Sequence, residues 1–470
     1  MNNEEVHNDE EEFRDQISTV NSDGSRKWVY PKKPFGKYFT KRKIVSYVLL
    51  IILFGAPHLY INGQQSLLFN ILDRKFAILG KVFWPQDFYL FAIAMIIGVV
   101  FIILFTIIFG RIFCGWICPQ TIFMEMVFRR IEYWVEGDWT HQKKLNDGPW
   151  NGEKIRKKVF KHFIFWVISF LIANTFLAYI ISSEELWEIQ TSPINEHLGG
   201  FIAIIFFTFA FYFVFTLLRE QVCTTICPYG RLQSVLLDEN SLVVAYDHKR
   251  GEGRSKFKKN EDRAANGKGD CIDCNQCVNV CPTGIDIRHG TQLECVNCTA
   301  CIDACDHMMD NVGLDRGLIG FLSEKGITQG TKFQWTRRVI SYSILLASML
   351  VVLTILLVTR TDFEATILRQ RGSTYQMTND GRVSNIFEIN LTNKTHKDYK
   401  IKLKLDHSDA EIDVAVKKLI LKSEDRLKER FVMKLPIEKI ENGKQEVTVI
   451  VYGNGKEIQR VTTKFIGPNI

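Results

Sequence analysis

Twelve cysteines stand in this chain, none before Cys114 and none after Cys305. Eight form two runs, Cys271-x2-Cys274-x2-Cys277-x3-Cys281-Pro282 and Cys295-x2-Cys298-x2-Cys301-x3-Cys305. Three thiolates at two-residue gaps let a tight loop wrap one corner of an iron–sulfur cubane, and in two-cluster ferredoxins the fourth cysteine of each run serves the other cluster. The spacing therefore predicts two [4Fe–4S] clusters. One is expected on Cys271, Cys274, Cys277 and Cys305, the other on Cys295, Cys298, Cys301 and Cys281. Zinc is the structural alternative, and two CxxC pairs alone would leave it open. A duplicated CxxCxxCxxxC run favours iron–sulfur. Asp306 stands where a proline would match Pro282; proline shapes that turn but binds no iron.

The other four cysteines form a repeat of their own. Arg111-Ile112-Phe113-Cys114-Gly115-Trp116-Ile117-Cys118-Pro119-Gln120 follows one apolar run, and Arg219-Glu220-Gln221-Val222-Cys223-Thr224-Thr225-Ile226-Cys227-Pro228-Tyr229 follows another. Both read as apolar helix, arginine, then CxxxCP. If each segment stays helical, four-residue spacing puts both sulfurs on one face. Cys114, Cys118, Cys223 and Cys227 would then offer up to four soft thiolates, which suit Cu(I). They could equally cycle between dithiol and disulfide, or pack as small hydrophobes. Two matching pairs beside a ferredoxin module favour chemistry, so these four are the candidate catalytic and copper-binding residues. His58 and His197 are weaker candidates as axial haem ligands. No CxxCH supports covalent haem, and no GxGxxG or Walker pattern supports a nucleotide or flavin site.

Long apolar runs must position these groups. Hydrophobic residues make up 46% of the 470 and gather in five uncharged runs, Ile44 to Ile61, Phe88 to Gly110, Phe163 to Ser183, Leu198 to Leu218 and Val339 to Thr359. Each approaches the roughly 20 residues that span a bilayer. Residues 1–25 read as a disordered acidic tail. Basic residues crowd the segment before the first run and the 111–162 loop, whereas the loop after the third run holds Glu184, Glu185, Glu188 and Glu196. The positive-inside rule then puts the N-terminus and the ferredoxin segment in the cytoplasm, and five crossings put the C-terminal region outside. Trp84, Tyr89 and Trp187 read as interfacial anchors. The formal net charge of +7 is explained by such loops and gives no sign of nucleic acid.

Past residue 360 the period becomes two. Phe387, Ile389 and Leu391 alternate with polar neighbours, as do Ile401, Leu403 and Leu405, and Ile412, Val414 and Val416. Gly453-Asn454-Gly455 is a hairpin signal. The expected architecture is an α-helical membrane protein of about five transmembrane helices, with an inserted two-[4Fe–4S] ferredoxin-like module and a C-terminal all-β immunoglobulin-like sandwich. Its divisions are 1–25 tail, 26–240 membrane domain with both CxxxCP motifs, 241–337 cytoplasmic region with the cluster module at about 262–312, 338–359 helix, and 360–470 β domain.

This combination resembles the cytochrome c oxidase accessory proteins of the CcoG (FixG/RdxA) family, most specifically over Arg111 to Gln120 and Cys223 to Arg231. Gly381-Arg382-Val383-Ser384-Asn385 with Asn393-Lys394 is similar to that family's C-terminal domain. The resemblance implies a protein of the bacterial inner membrane that reduces Cu(II) to Cu(I) for assembly of a cbb3-type oxidase. Copper would be handled by Cys114, Cys118, Cys223 and Cys227, and electrons supplied through the eight ferredoxin cysteines. It also implies oxidase assembly factors or copper-handling proteins as partners, with an unidentified electron donor. Two other readings stand beside it: a quinol-oxidising membrane ferredoxin feeding a periplasmic reductase, and a non-enzymatic assembly scaffold.

Overall fold

In a computed structural model, which describes residues 18–468 except 22, 62, 73–74, 85–86, 260, 264, 332–333, 362, 371, 373, 379, 396, 407–409, 415–418, 424 and 441–442, the apolar runs become helices. The first run forms α1, Lys37–Gly55, ended by a 3-10 turn at Ala56–His58 that contains Pro57. Then follow α2 (Phe88–Phe109), α3 (residues 119–135), α4 (Gly152–Ile181), α5 (Leu198–Leu218), α6 (Pro228–Leu236), α7 (Ala300–Val312) and α8 (Arg337–Val358). Four of these, α2, α4, α5 and α8, are long and apolar enough to cross a membrane. α1 differs from expectation. Its first turns carry Lys37, Lys41, Arg42 and Lys43, which leaves an apolar stretch, residues 44–55, of about 18 Å at 1.5 Å per residue.

The chain folds as two units. The first comprises residues 1–59 and 91–352. Here α3 is wedged against α4 and α5 through Phe128, which stacks on Phe215 at 4.4 Å and meets Phe165 edge-on at 4.8 Å. α3 is α-helical over Pro119–Ile122, π-helical over Phe123–Phe128 and α-helical again over Arg129–Val135. Such π segments recur at functional sites.

The ferredoxin module is bracketed by the antiparallel pair Val243–Tyr246 and Ile319–Leu322. Its core joins Ile285, Ile287, Ile302, Met309 and Leu318 to the cysteines. The module is docked on α1 by Asp303 of α7, whose carboxylate accepts from the Tyr38 and Phe39 N–H groups at 3.1 and 2.7 Å. These are free donors of the first turn of α1, so Asp303 caps that helix from a distant part of the chain. Gly36, at φ +127°, leaves room for it; a β-carbon there would strike the Asp303 side chain.

The N-terminal segment also departs from expectation. Residues 1–17 of the expected acidic tail lie outside the described residues, but Ser18 donates to the Thr283 carbonyl at 2.9 Å, and Asn21–Ser25 closes a turn. Lys32 continues this contact, its N–H donating to the Asn279 carbonyl at 2.7 Å. The segment from residue 18 onward is therefore laid on the ferredoxin loops.

The second unit comprises residues 60–90 and 353–470. Two sheets face each other. One runs Glu411–Val414, Arg426–Pro436, Arg382–Asn393, Phe363–Arg369, with Gln376–Met377 also paired to Arg382–Asn393; the other runs Leu419–Leu421, Tyr399–Leu405, Lys444–Gly453, Lys456–Ile466. The alternating residues meet between them: Phe387, Ile389 and Leu391 with Phe431, Met433, Val447, Val449, Val451 and Phe465 form one buried core, as in an aligned β-sandwich. Asn454 and Gly455, at φ 50° and 86°, make the expected tight hairpin between the last two strands. Val416 of the alternating set lies outside the described residues.

Sequence reading placed residues 60–90 with the membrane domain. They instead carry a three-stranded sheet, Leu67–Asn70, Lys75–Ile78 and Lys81–Phe83, and belong to the sandwich unit. The reason is electrostatic. Asp87, buried, pairs with Arg360 at 2.8 Å and Lys394 at 2.7 Å. Trp84, expected as a membrane anchor, instead carries the Arg426 guanidinium 4.1 Å from its ring centre. Trp187 and Tyr89 remain exposed.

Candidate iron–sulfur and thiol centre

The eight ferredoxin cysteines fall into two groups around two cavities of nearly equal size. Cys271, Cys274, Cys277 and Cys305 line the first. Cys281, Cys295, Cys298 and Cys301 line the second, with Cys277 at its edge. The backbone is built alike at both. Asp273 and Asn275 have φ of 51° and 55°, and Asn297 and Thr299, at the matching offsets, 51° and 65°. One left-handed residue in each of the first two gaps between cysteines curls each loop so that its side chains converge; Asp and Asn tolerate this conformation, whereas β-branched Thr299 does so at a cost.

Both sets suit a cubane. Among the described residues no three His, Cys, Asp or Glu side chains converge as one metal ion would need. A single zinc ion draws its sulfurs to about 2.3 Å from one centre, whereas a cubane takes each sulfur on a different iron and needs a wider set. Burial pushes the Cys277 and Cys295 thiols up to about 12 and Cys298 up to about 11. Cations do little to offset it: Arg288 near Cys277, Arg42 near Cys298 and Arg111 near Cys295. Such thiols become thiolates when a metal takes the proton's place.

The CxxxCP cysteines do not lie on continuous helices. Cys114 sits in a short helix, Ile112–Trp116, while Cys118 is extended (φ −58°, ψ 123°) ahead of α3. Cys223 lies in a π turn, Val222–Ile226, and Cys227 is extended (φ −68°, ψ 114°) ahead of α6. The helical premise fails because a residue before proline is driven out of the α region, and proline then opens the next helix. The repeat is nonetheless real in the backbone. Cys118 N–H donates to the Phe113 carbonyl at 2.9 Å and Cys227 N–H to the Val222 carbonyl at 2.8 Å, the same six-residue turn in each motif.

The two arginines of the repeat are not equivalent. Arg219 lies four residues before its first cysteine and has φ 49°; the residue four before Cys114 is Gly110, at φ 57°. Arg219 thus occupies a glycine-like position, and its side chain explains why. It donates to both carboxylate oxygens of buried Glu132 at 2.6 and 2.8 Å. Burial would raise the Glu132 carboxyl, but Arg219, Lys161 and Arg129 together hold it down at about 2. Lys161 and Lys158 also meet buried Glu136 at 2.9 and 2.8 Å, and Arg129 reaches Glu125 at 2.6 Å. Arg129, Lys158 and Lys161, counted from sequence as loop charges, are in fact part of this ionic seam. Arg111 plays another part: it donates to the carbonyls of Leu293 and Gly230, joining the Cys295 loop to α6.

The motifs meet the ferredoxin module at one group of cysteines. Cys114 and Cys223 pack with Cys301 on a buried cluster of Val280, Val296, Cys298, Ala300 and Ala304. A β-carbon on Gly115 would strike the Val296 carbonyl oxygen, so the Cys114 loop touches the Cys295–Cys298 loop backbone to backbone. Arg42 of α1 closes the contact by donating to the Gly115 carbonyl at 2.6 Å. The Cys114 thiol faces Gln233 Oε1 at 3.4 Å, and Cys223 faces Thr121 at 3.8 Å. Burial pushes Cys114 up to about 11 and Cys223 up to about 12, with the thiols of both motifs adding to one another. His58 is exposed on its 3-10 turn, and His197 precedes α5, away from any role seen here.

Residues 91–143 match a 4Fe-4S binding domain, residues 218–324 a 4Fe-4S dicluster domain, and residues 353–468 the IG-like fold at the C-terminal of FixG. Protein RdxA of Cereibacter sphaeroides is 34% identical over 395 residues, covering 81% of this chain and 82% of that protein. The chain belongs to the FixG/RdxA family. RdxB of the same organism is 34% identical over 80% of this chain and 82% of its own. Nitrogen fixation protein FixG of Rhizobium meliloti is 35% identical over 63% of this chain and 57% of its own. The chain is a membrane-associated iron–sulfur electron-transfer protein with an immunoglobulin-like C-terminal domain.

Proposed function

We propose that the chain passes electrons through its two clusters to the CxxxCP thiols and there reduces Cu(II) to Cu(I), for assembly of a cbb3-type cytochrome oxidase. Cys271, Cys274, Cys277 and Cys305 hold the distal cluster; Cys281, Cys295, Cys298 and Cys301 hold the proximal one. Bound there, the clusters supply one-electron reduction at low potential. The observation that carries the reading is the packing of Cys114 and Cys223 on the same buried cluster that contains Cys298 and receives Cys301.

Cys114, Cys118, Cys223 and Cys227 lie near enough to influence one another without converging on one point, so the copper substrate would draw them in as soft ligands that favour the cuprous state. Each Cu(II) takes one electron, and the thiol protons leave as sulfur binds copper. Gln233 and Thr121 hold the Cys114 and Cys223 side chains in place. The Arg219–Glu132 pair fixes the turn that presents Cys223.

The chemistry belongs on the cytoplasmic face of the bacterial inner membrane, where the basic loops remain. Asp87 pairs with Arg360 and Lys394, which supports residues 60–90 and the sandwich sharing the opposite face. Short α1 then crosses as well, at the cost of local thinning of the bilayer and snorkelling of its flanking lysines.

The test is anaerobic purification with iron, sulfide and copper quantified, then addition of Cu(II) to dithionite-reduced protein. Cluster bleaching reversed in step with Cu(I) formation, and lost in the Cys114→Ser, Cys118→Ser, Cys223→Ser, Cys227→Ser variant, is the expected result. Clusters that stay reduced in excess Cu(II) would send the electrons to another acceptor and overturn the copper reading.

A further inference from the structure

Away from the cysteines, an open cleft of about 1070 Å3 lies where the N-terminal segment, α1 and α3 meet. Lys33, Lys43 and Arg130 line it together with Phe39, Tyr133 and Trp134. Its one carboxylate, Glu125, is engaged by Arg129 at 2.6 Å, which leaves three cations facing the space. Neither lysine carries an ion pair among the described residues. Arg130 is preset: it donates to the Tyr47 hydroxyl at 2.7 Å and lies 5.5 Å over the Phe39 ring.

The cleft opens onto apolar surface. Phe39, Lys43, Tyr47 and Ile51 repeat every four residues and so form one stripe along α1. Beyond Lys43 that stripe and its flank are bare: Ile44, Tyr47 and Val48 are exposed, and Ile51 is 72% exposed. Trp134, also exposed, sits at the rim near Phe160, the arrangement of a residue at the bilayer interface. A pocket of cations at the end of a bare apolar stripe fits a molecule with an anionic head and a hydrocarbon tail.

We propose that this cleft binds an anionic phospholipid, its phosphate headgroup meeting Lys33, Lys43 and Arg130 and its acyl chains lying along Tyr47, Val48 and Ile51. The site is separate from the thiol centre and stands whether or not copper is the electron acceptor. Juxtamembrane cations recognise anionic headgroups in this way.

The experiment places the full-length protein, clusters intact, in nanodiscs of phosphatidylcholine with and without phosphatidylglycerol, and counts lipid retained per chain by native mass spectrometry after detergent extraction. Preferential retention of one phosphatidylglycerol is expected. The Lys43→Gln/Arg130→Gln variant should weaken it about thirtyfold, from two lost cations, with iron content and cluster absorbance unchanged as the control for folding. Release of the lipid by millimolar inorganic phosphate supports recognition through the phosphate. Equal retention of both lipids, unaltered retention in the double variant, or binding of inorganic phosphate with no lipid preference would overturn the proposal. So would an isoprenoid quinone co-purifying in the lipid's place and lost with the same substitutions.

Discussion

Gly115 and Val296 touch through their main chains, so closely that the first has no space for a β-carbon against the carbonyl oxygen of the second. The contact joins the Cys114 loop to the Cys295–Cys298 loop. Gly115→Ala therefore has to push the two apart. The expected outcome is a protein with full iron and sulfide content whose Cu(II)-driven cluster reoxidation slows by about ten- to a hundredfold, as a displacement near 1 Å can cost. Stopped-flow absorbance on the reduced protein reads it.

The two cysteine groups predict separable losses. Cys298→Ser should remove the proximal cluster signal from the electron paramagnetic resonance spectrum and abolish electron delivery to the thiols. Cys305→Ser should remove the distal signal instead, leaving a proximal cluster that a small reductant still reduces and Cu(II) still reoxidises. Loss of the same signal in both variants would argue against the pairing of Cys305 with the first run.

Arg219 combines a glycine-like backbone with a forked pair to Glu132. Replacing it by glycine relieves the backbone but breaks the pair; replacing it by alanine breaks the pair and keeps the strain. Arg219→Gly should therefore unfold later than Arg219→Ala by about 1 kcal/mol, the cost of such a conformation, while both fall below the parent. Thermal unfolding in detergent, followed by far-ultraviolet circular dichroism, gives the comparison.

Glu132 also sets a response to acid. Its carboxyl, ordinarily near 4.5, is held at about 2 by the surrounding cations. A folded value below the unfolded one means the contribution is complete above about 4.5 and drains away as pH falls toward 2. The parent should lose melting temperature across that window. Glu132→Gln should start lower, because Arg219 is left buried without its partner, and change less with pH.

Asp87 is the link that holds residues 60–90 to the sandwich. Asp87→Ala takes the carboxylate from buried Arg360 and leaves Lys394 with Glu364 alone, at 3.1 Å, a loss of about 3–5 kcal/mol for breaking such a pair. The expected signature is protease cleavage within residues 60–90 under conditions that spare the parent, with cluster content unaffected.

Much of this architecture was legible because it rests on local patterns. Cysteine spacing marked both clusters, and period-two alternation such as Phe387, Ile389 and Leu391 marked the sandwich core. The CxxxCP segments were legible as a repeat, but the helical condition on their sulfurs fails, since Pro119 and Pro228 act on the residue before them and turn Cys118 and Cys227 out of the helical path. Counting back four residues from Cys114 and Cys223 would have paired Gly110 with Arg219 and exposed the odd residue. What stayed hidden was long-range pairing. Nothing in the local sequence tells that Glu132 meets Arg219, that Asp87 meets Lys394, or that Arg42 of an apparent topogenic cluster reaches the Gly115 carbonyl.

The Asp303 cap has a consequence for biosynthesis. The Tyr38 N–H that it satisfies lies 265 residues upstream, so the ribosome releases α1 long before its cap exists. Asp303 stands between Cys301 and Cys305 on the same helix, which takes its place as the iron–sulfur fold closes. Whatever orders that helix therefore also seats the first one, and iron-depleted protein is expected to be cut within its N-terminal segment sooner than the cluster-loaded protein in limited proteolysis.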